Sequence, residues 1–149
     1  MRVGQLTEIT MASIRKEIHI NASRDLVWDA LRDVGALHER LVPGFVTNTR
    51  LEGNTRVVTF GNGMIAREEI VSIDEERRRV CWAIIGQQFR HYSAAARVTE
   101  DINGGSIFVW MADLLPDELA GQVETMMAAG LQVIKDTLET AARASRSGA

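Results

Sequence analysis

Cysteine is almost missing. Cys81 is the single thiol in 149 residues, so an internal disulfide is excluded and the chain suits a reducing compartment. Its place inside an apolar strand pattern reads as a buried, inert thiol rather than a nucleophile. Blocks of basic residues are missing too, and the net charge is −3, which argues against a nucleic-acid-binding surface. The one basic run, Arg77-Arg78-Arg79, follows Asp74-Glu75-Glu76 and reads as a solvated turn rather than a phosphate site. No apolar run approaches the roughly 18 residues that cross a bilayer, and the first residues lack a hydrophobic signal segment. The expectation is a cytoplasmic protein without membrane insertion. His19, His38 and His91 form no helical i, i+4 pair and have no carboxylate or cysteine cluster beside them, so neither a metal nor a cofactor is expected.

What is present is an ordinary globular composition, 46% hydrophobic and 25% charged. A chain of this length fits one domain that buries around 70% of the surface its unfolded form exposes. Its main organising feature is the segment 115–144. Leu119, Val123, Met126, Met127, Gly130, Leu131, Ile134 and Leu138 recur at spacings of three and four and share one helical face. Pro116 suits the first helical position, and Asp117 and Glu118 suit the positive end of the helix dipole. At about 1.5 Å per residue, such a helix reaches about 40 Å and needs a broad partner.

The rest reads as mostly strand. Residues 1–12 lack periodicity and are expected to be a poorly ordered arm or an added edge segment. In 13–20, Ile14, Ile18 and Ile20 alternate with Arg15, Glu17 and His19, and Lys16 interrupts the apolar face as at a sheet edge. Ser23 is a candidate N-cap for a short helix with the stripe Val27, Trp28, Leu31 and Val34. A second short helix precedes Pro43. Strands are predicted at 45–52, 55–60, 64–73, 78–85, 89–100 and 106–114. Gly53-Asn54 joins the first pair, and Gly61-Asn62-Gly63 carries an Asn-Gly type I′ signal. One strand, two small helices, a six-strand meander and a long helix make an α+β chain whose curled sheet would grip the helix. Repeats, linkers and a domain boundary are all missing.

This order of elements resembles the START-like superfamily, also called SRPBCC or the polyketide cyclase/dehydrase and lipid-transport family. The resemblance covers about residues 13–142. It rests on the first strand leading into Ala22-Ser23-Arg24-Asp25-Leu26-Val27-Trp28, on Val71-Ser72-Ile73-Asp74 with its arginine-rich turn, on 105–110, and on the helix after Leu115-Pro116. It implies a helix-grip fold over 13–146, with a seven-stranded curved antiparallel sheet around the C-terminal helix and a hydrophobic cavity beneath that helix. Family members bind lipids, hormones or polyketides, and a minority catalyse cyclisation or dehydration. Fold alone does not choose among these.

No catalytic set is recognised, so the candidates are ligand-binding residues. In 64–73, Arg67 and Glu69 share one face and Glu68 takes the other; alternation leaves open which face is inward. An inward Glu68 would need a partner and could anchor a ligand or serve as a general acid/base. Tyr92 shares parity with the small Ala94 and Ala96, which leave room beside a phenol. Trp110 shares a face with Phe108. On the helix, Met126, Met127 and Gly130 are adaptable or small, and Gly121 and Gly130 need a reason because glycine costs about 1 kcal/mol in a helix interior. His38, near the expected cavity end, and the pair His91 and Ser93 read as surface groups. The leading function is a binding or carrier protein for a small hydrophobic or amphipathic molecule. An enzyme of the cyclase/dehydrase kind and an interaction module with a filled core are the alternatives, and homodimerisation is left open. Paired polar groups in the cavity, with a strongly shifted Glu68 or Tyr92, would favour catalysis.

Overall fold

The structure, a computed structural model, describes residues 11–147. Most of the predicted N-terminal arm therefore lies outside the described residues, and Ala12 already belongs to the first strand. Strand β1 (Ala12–Ile20) leads into helix α1 (Arg24–Leu31), then a 3-10 turn (Val34–Ala36) and a π-helical turn (Leu37–Leu41). The meander is β2 (Val46–Glu52), β3 (Thr55–Phe60), β4 (Ile65–Asp74), β5 (Arg79–Ile84), β6 (His91–Glu100) and β7 (Ser106–Leu115). A 3-10 turn (Asp117–Leu119) opens the terminal helix α2 (Ala120–Ser147).

All seven strands form one antiparallel sheet in the order β1-β7-β6-β5-β4-β3-β2. Five neighbouring pairs follow the chain, while β1 returns to pair with β7, Ile14 opposite Ala112 and Ile18 opposite Phe108. Register shifts between Val46 and Asn48 and between Ile70 and Ser72 add local twist to the open, curved sheet. Its concave face and α2 enclose the core, where Ile20, Phe108, Leu114, Met127 and Leu138 are fully buried. Lys16 stands on the edge strand and faces Glu124 of α2 at 3.7 Å, so its interruption of the apolar face becomes a strand-to-helix contact.

Local chemistry explains the joints. The Ser23 hydroxyl accepts from the Leu26 amide at 3.1 Å and caps α1. Gly53 turns the first hairpin with φ of 63°, so Glu52 and Thr55 pair directly. The next hairpin corrects the type I′ expectation. Gly63 has positive φ but Asn62 does not, and the Phe60 amide donates to the Met64 carbonyl across a three-residue loop. One loop residue more than a type I′ turn holds means that the left-handed step is needed only at Gly63. Pro116 also moves from its expected place. It is extended, with ψ of 152°, and helix starts only after it. Cys81 is half-buried rather than buried, because its strand turns Val80 and Trp82 inward and leaves the thiol on the outer face.

Candidate functional site

Strand alternation puts one row of side chains across the concave face. Arg56 on β3 lies opposite Glu68 on β4, and Glu68 opposite Ile84 on β5. Tyr92 on β6 comes one position beyond the Ala83–Ser93 pair and opposite Leu114. This resolves the open question of β4: Glu68 is inward, while Arg67 and Glu69 are exposed. Ala94 and Ala96 continue the Tyr92 face, and their small side chains keep the floor low beneath α2.

Two ionised groups in an apolar interior must neutralise one another. Arg56 and Glu68 are 4% and 6% exposed, and their guanidinium and carboxylate meet at 2.8 Å (Nε to Oε1) and 2.6 Å (Nη2 to Oε1). The guanidinium also lies 5.6 Å from the Trp82 ring centroid, a cation–π arrangement. Its Nη1 reaches the Val34 carbonyl at 3.4 Å. Both short contacts fall on Oε1, and among the described residues none donates to Oε2. Tyr92 is buried beside Phe89, with ring centroids 4.9 Å apart. Desolvation, with the nearby Glu68 charge second, pushes its phenol up, so the hydroxyl keeps its proton. Trp82 and Trp110 sit 6.3 Å apart, and the Trp110 indole N–H is buried without a partner among the described residues.

These side chains enclose an inner chamber of about 80 Å³, with Leu31, Leu41, Val58 and Phe108 among its apolar walls. A wider open groove of about 820 Å³ adjoins it, running between α2, the 61–63 loop and residues 87–89. Phe45, Phe60, Ile84, Tyr92 and Met126 border both spaces and form the neck between them. Phe45 and Phe60 meet edge-to-face at 5.9 Å. The Gly61 amide donates to the Phe45 carbonyl at 2.9 Å, and a Cβ at Gly61 would come within 2.7 Å of the Gly44 carbonyl oxygen. The groove's volume lies within the range of small-molecule sites.

The structure brings together four of the six candidates. Glu68, Tyr92, Trp110 and Met126 line the chamber. Met127 is fully buried in packing, and Gly130 meets Trp110 instead of open space: a Cβ there would lie 2.9 Å from Trp110 Cζ3. Neither residue borders the chamber or the groove. Gly121 is exposed with nothing near it. His38 sits 3.3 Å from Glu39, and His91 contacts Ser93 at 3.2 Å on the solvent side. Neither belongs to the cavity. Sequence reasoning missed Arg56, although a signal existed. Counting outward from the 61–63 loop pairs 60 with 64, 58 with 66 and 56 with 68, so the two charges share a face. Phe45 and Phe60, set beside the chain's turns, carried no such signal.

No curated protein matches the chain. Among solved structures, it is similar to an uncharacterized protein from Bacillus thuringiensis at 17% identity. The TM-score is 0.77, and the match covers 85% of this chain and 98% of the other. It is also similar to the protein XoxI from Bacillus cereus at 18% identity and a TM-score of 0.72, over 88% of this chain and 95% of that one. These likenesses establish the helix-grip fold. The family model described as polyketide cyclase / dehydrase and lipid transport matches residues 11–145, nearly the whole chain, and this protein belongs to that family.

Proposed function

We propose that this protein binds and carries a small hydrophobic or amphipathic molecule between its sheet and terminal helix. The observation that carries the reading is the two-part cavity: a small chamber holding one self-neutralised ion pair, opening through an aromatic neck into a wide apolar groove. Membership of a family associated with hydrophobic ligands points the same way. Burial of apolar ligand surface supplies the driving force, roughly 25 cal/mol per Å² before ordering costs. Exchange proceeds at the open end, where the 61–63 loop meets Phe45.

The alternative of a cyclase/dehydrase-like enzyme draws on the same polar row, and on a Tyr92 phenol that is strongly shifted. The direction of that shift counts against acid–base work. A general acid or base functions best with its pKa near the working pH, and Tyr92 moves away from it. Glu68 is engaged by Arg56. As neutral donor and paired acceptor, the two groups suit orientation of a ligand.

Native mass spectrometry of freshly purified protein, followed by solvent extraction, tests the carrier reading. A stoichiometric added mass that matches an extracted apolar compound, unchanged after prolonged incubation with the protein, is the expected result. A compound converted during incubation would transfer the case to the enzyme.

A further inference from the structure

The carrier reading leaves the ligand's chemistry open, and the polar atoms of the inner chamber constrain it. Glu68 Oε1 takes both short contacts from Arg56, at 2.8 and 2.6 Å, while Oε2 accepts from none of the described residues. Glu68 and Tyr92 line the same chamber, and the Tyr92 hydroxyl donates to none of the described residues. Tyr92 stays protonated because burial and the Glu68 charge both oppose phenolate. Besides the unpartnered Trp110 indole N–H, the chamber thus presents one acceptor on β4 and one donor on β6, the two strands that flank β5, neither with a partner among the described residues.

We infer that the chamber takes an uncharged ligand end bearing a hydroxyl group, alcohol or phenol, which donates to Glu68 Oε2 and accepts from the Tyr92 hydroxyl. A hydroxyl performs both tasks through a single atom. An ether or ketone accepts but cannot donate, and leaves Oε2 bare. A carboxylate brings a second negative charge beside Glu68, and the one guanidinium in the chamber is already neutralised. An ammonium meets Glu68 but also the adjacent Arg56. Size agrees with this assignment. The chamber of about 80 Å³ holds a small polar end, and the groove of about 820 Å³ takes the apolar body.

The inference rests on the carrier reading, and competition against the neutral dye Nile red separates the two. Octanol, methyl octyl ether and octanoate share one tail and differ in their polar end. In the wild-type protein, octanol displaces the dye about tenfold more tightly than either of the others, the scale of a hydrogen bond to a charged group. Tyr92→Phe weakens octanol several-fold while the fold is kept, since only the hydroxyl is removed. Glu68→Gln frees Arg56, so the preference turns toward octanoate. If Glu68→Gln does not fold, the wild-type ranking and Tyr92→Phe decide the matter. Octanoate or the ether binding as well as octanol overturns the hydroxyl assignment and leaves the carrier reading standing. Failure of the dye and of all three compounds to bind overturns both.

Discussion

Gly130 and Gly121 lie in one helix and should respond oppositely to alanine. Alanine is the better helix former by about 1 kcal/mol. At Gly121, exposed and with nothing near a new Cβ, Gly121→Ala should stabilise by about 0.5 kcal/mol, less than the full propensity difference because the site is near the helix start. At Gly130 a Cβ would lie 2.9 Å from Trp110 Cζ3. Gly130→Ala should therefore destabilise by about 1–3 kcal/mol through overpacking, propensity notwithstanding. Urea unfolding of the two variants checks both signs. The Arg56–Glu68 pair supports a second contrast. Removal of one partner, as in Arg56→Met, strands a buried charge and should cost about 3–5 kcal/mol. The joint change Arg56→Met with Glu68→Met should recover most of that loss. A double-mutant cycle on unfolding free energies measures the difference, and failure of the double variant to recover would deny the charge-pair explanation.

Helix α2 is held to β1 and to the turn that follows it by a carboxylate as well as by its apolar face. Glu139 accepts from the Asn21 amide and from Lys135, each at 2.7 Å, while Lys135 also donates to the His19 carbonyl at 2.8 Å. The Lys135 hydrogen bond first, and the Asn21 amide next, hold the Glu139 carboxyl below its ordinary value of 4.5. A carboxyl with a depressed folded-state pKa stabilises above its unfolded value, and that contribution is lost as pH falls through the folded one. Glu139→Gln should thus lower stability at neutral pH and flatten the acid limb below pH 4.5, read from urea midpoints across pH. An acid limb as steep as the wild type's would contradict this role. The Ser23 cap makes a similar joint at α1, and Ser23→Ala should cost about 1 kcal/mol.

For the molecule as a whole, stability and carriage are linked. A ligand that binds only the folded protein stabilises it by mass action, about 2.7 kcal/mol at a hundred times its Kd. For a domain of this length that corresponds to a melting shift of roughly 5–10 °C. Protein stripped of extracted apolar material should melt lower, and recover when the same extract returns. An identical melting curve before and after stripping would count against a resident ligand. Tyr92 offers an independent probe because it is the only tyrosine. Its raised pKa stabilises the fold below the unfolded value near 10, and this contribution is lost as pH rises above it. Phenolate absorbance should therefore appear together with unfolding in an alkaline titration. A phenolate signal that precedes loss of structure would place Tyr92 in a wetter setting.

Element order, the Ser23 cap and the buried stripe of α2 could be read from the chain because they depend on neighbours a few residues away. Alternation is local, and so is the three-and-four spacing that put Val123, Leu131, Ile134 and Leu138 on one face. The same spacing could not separate Met126, which reaches the chamber, from Met127, which is packed. Nor could it tell which side of β4 faces in, since alternation relates side chains to one another and the curvature of the whole sheet supplies the direction. Glu68 and Cys81 illustrate this from opposite sides: the charge is buried because Arg56 stands across from it, and the thiol is partly exposed because Trp82 takes the inner place. Gly130 is small because an indole from a distant strand lies against it. Those outcomes needed contacts between segments far apart in the chain, which no local pattern encodes.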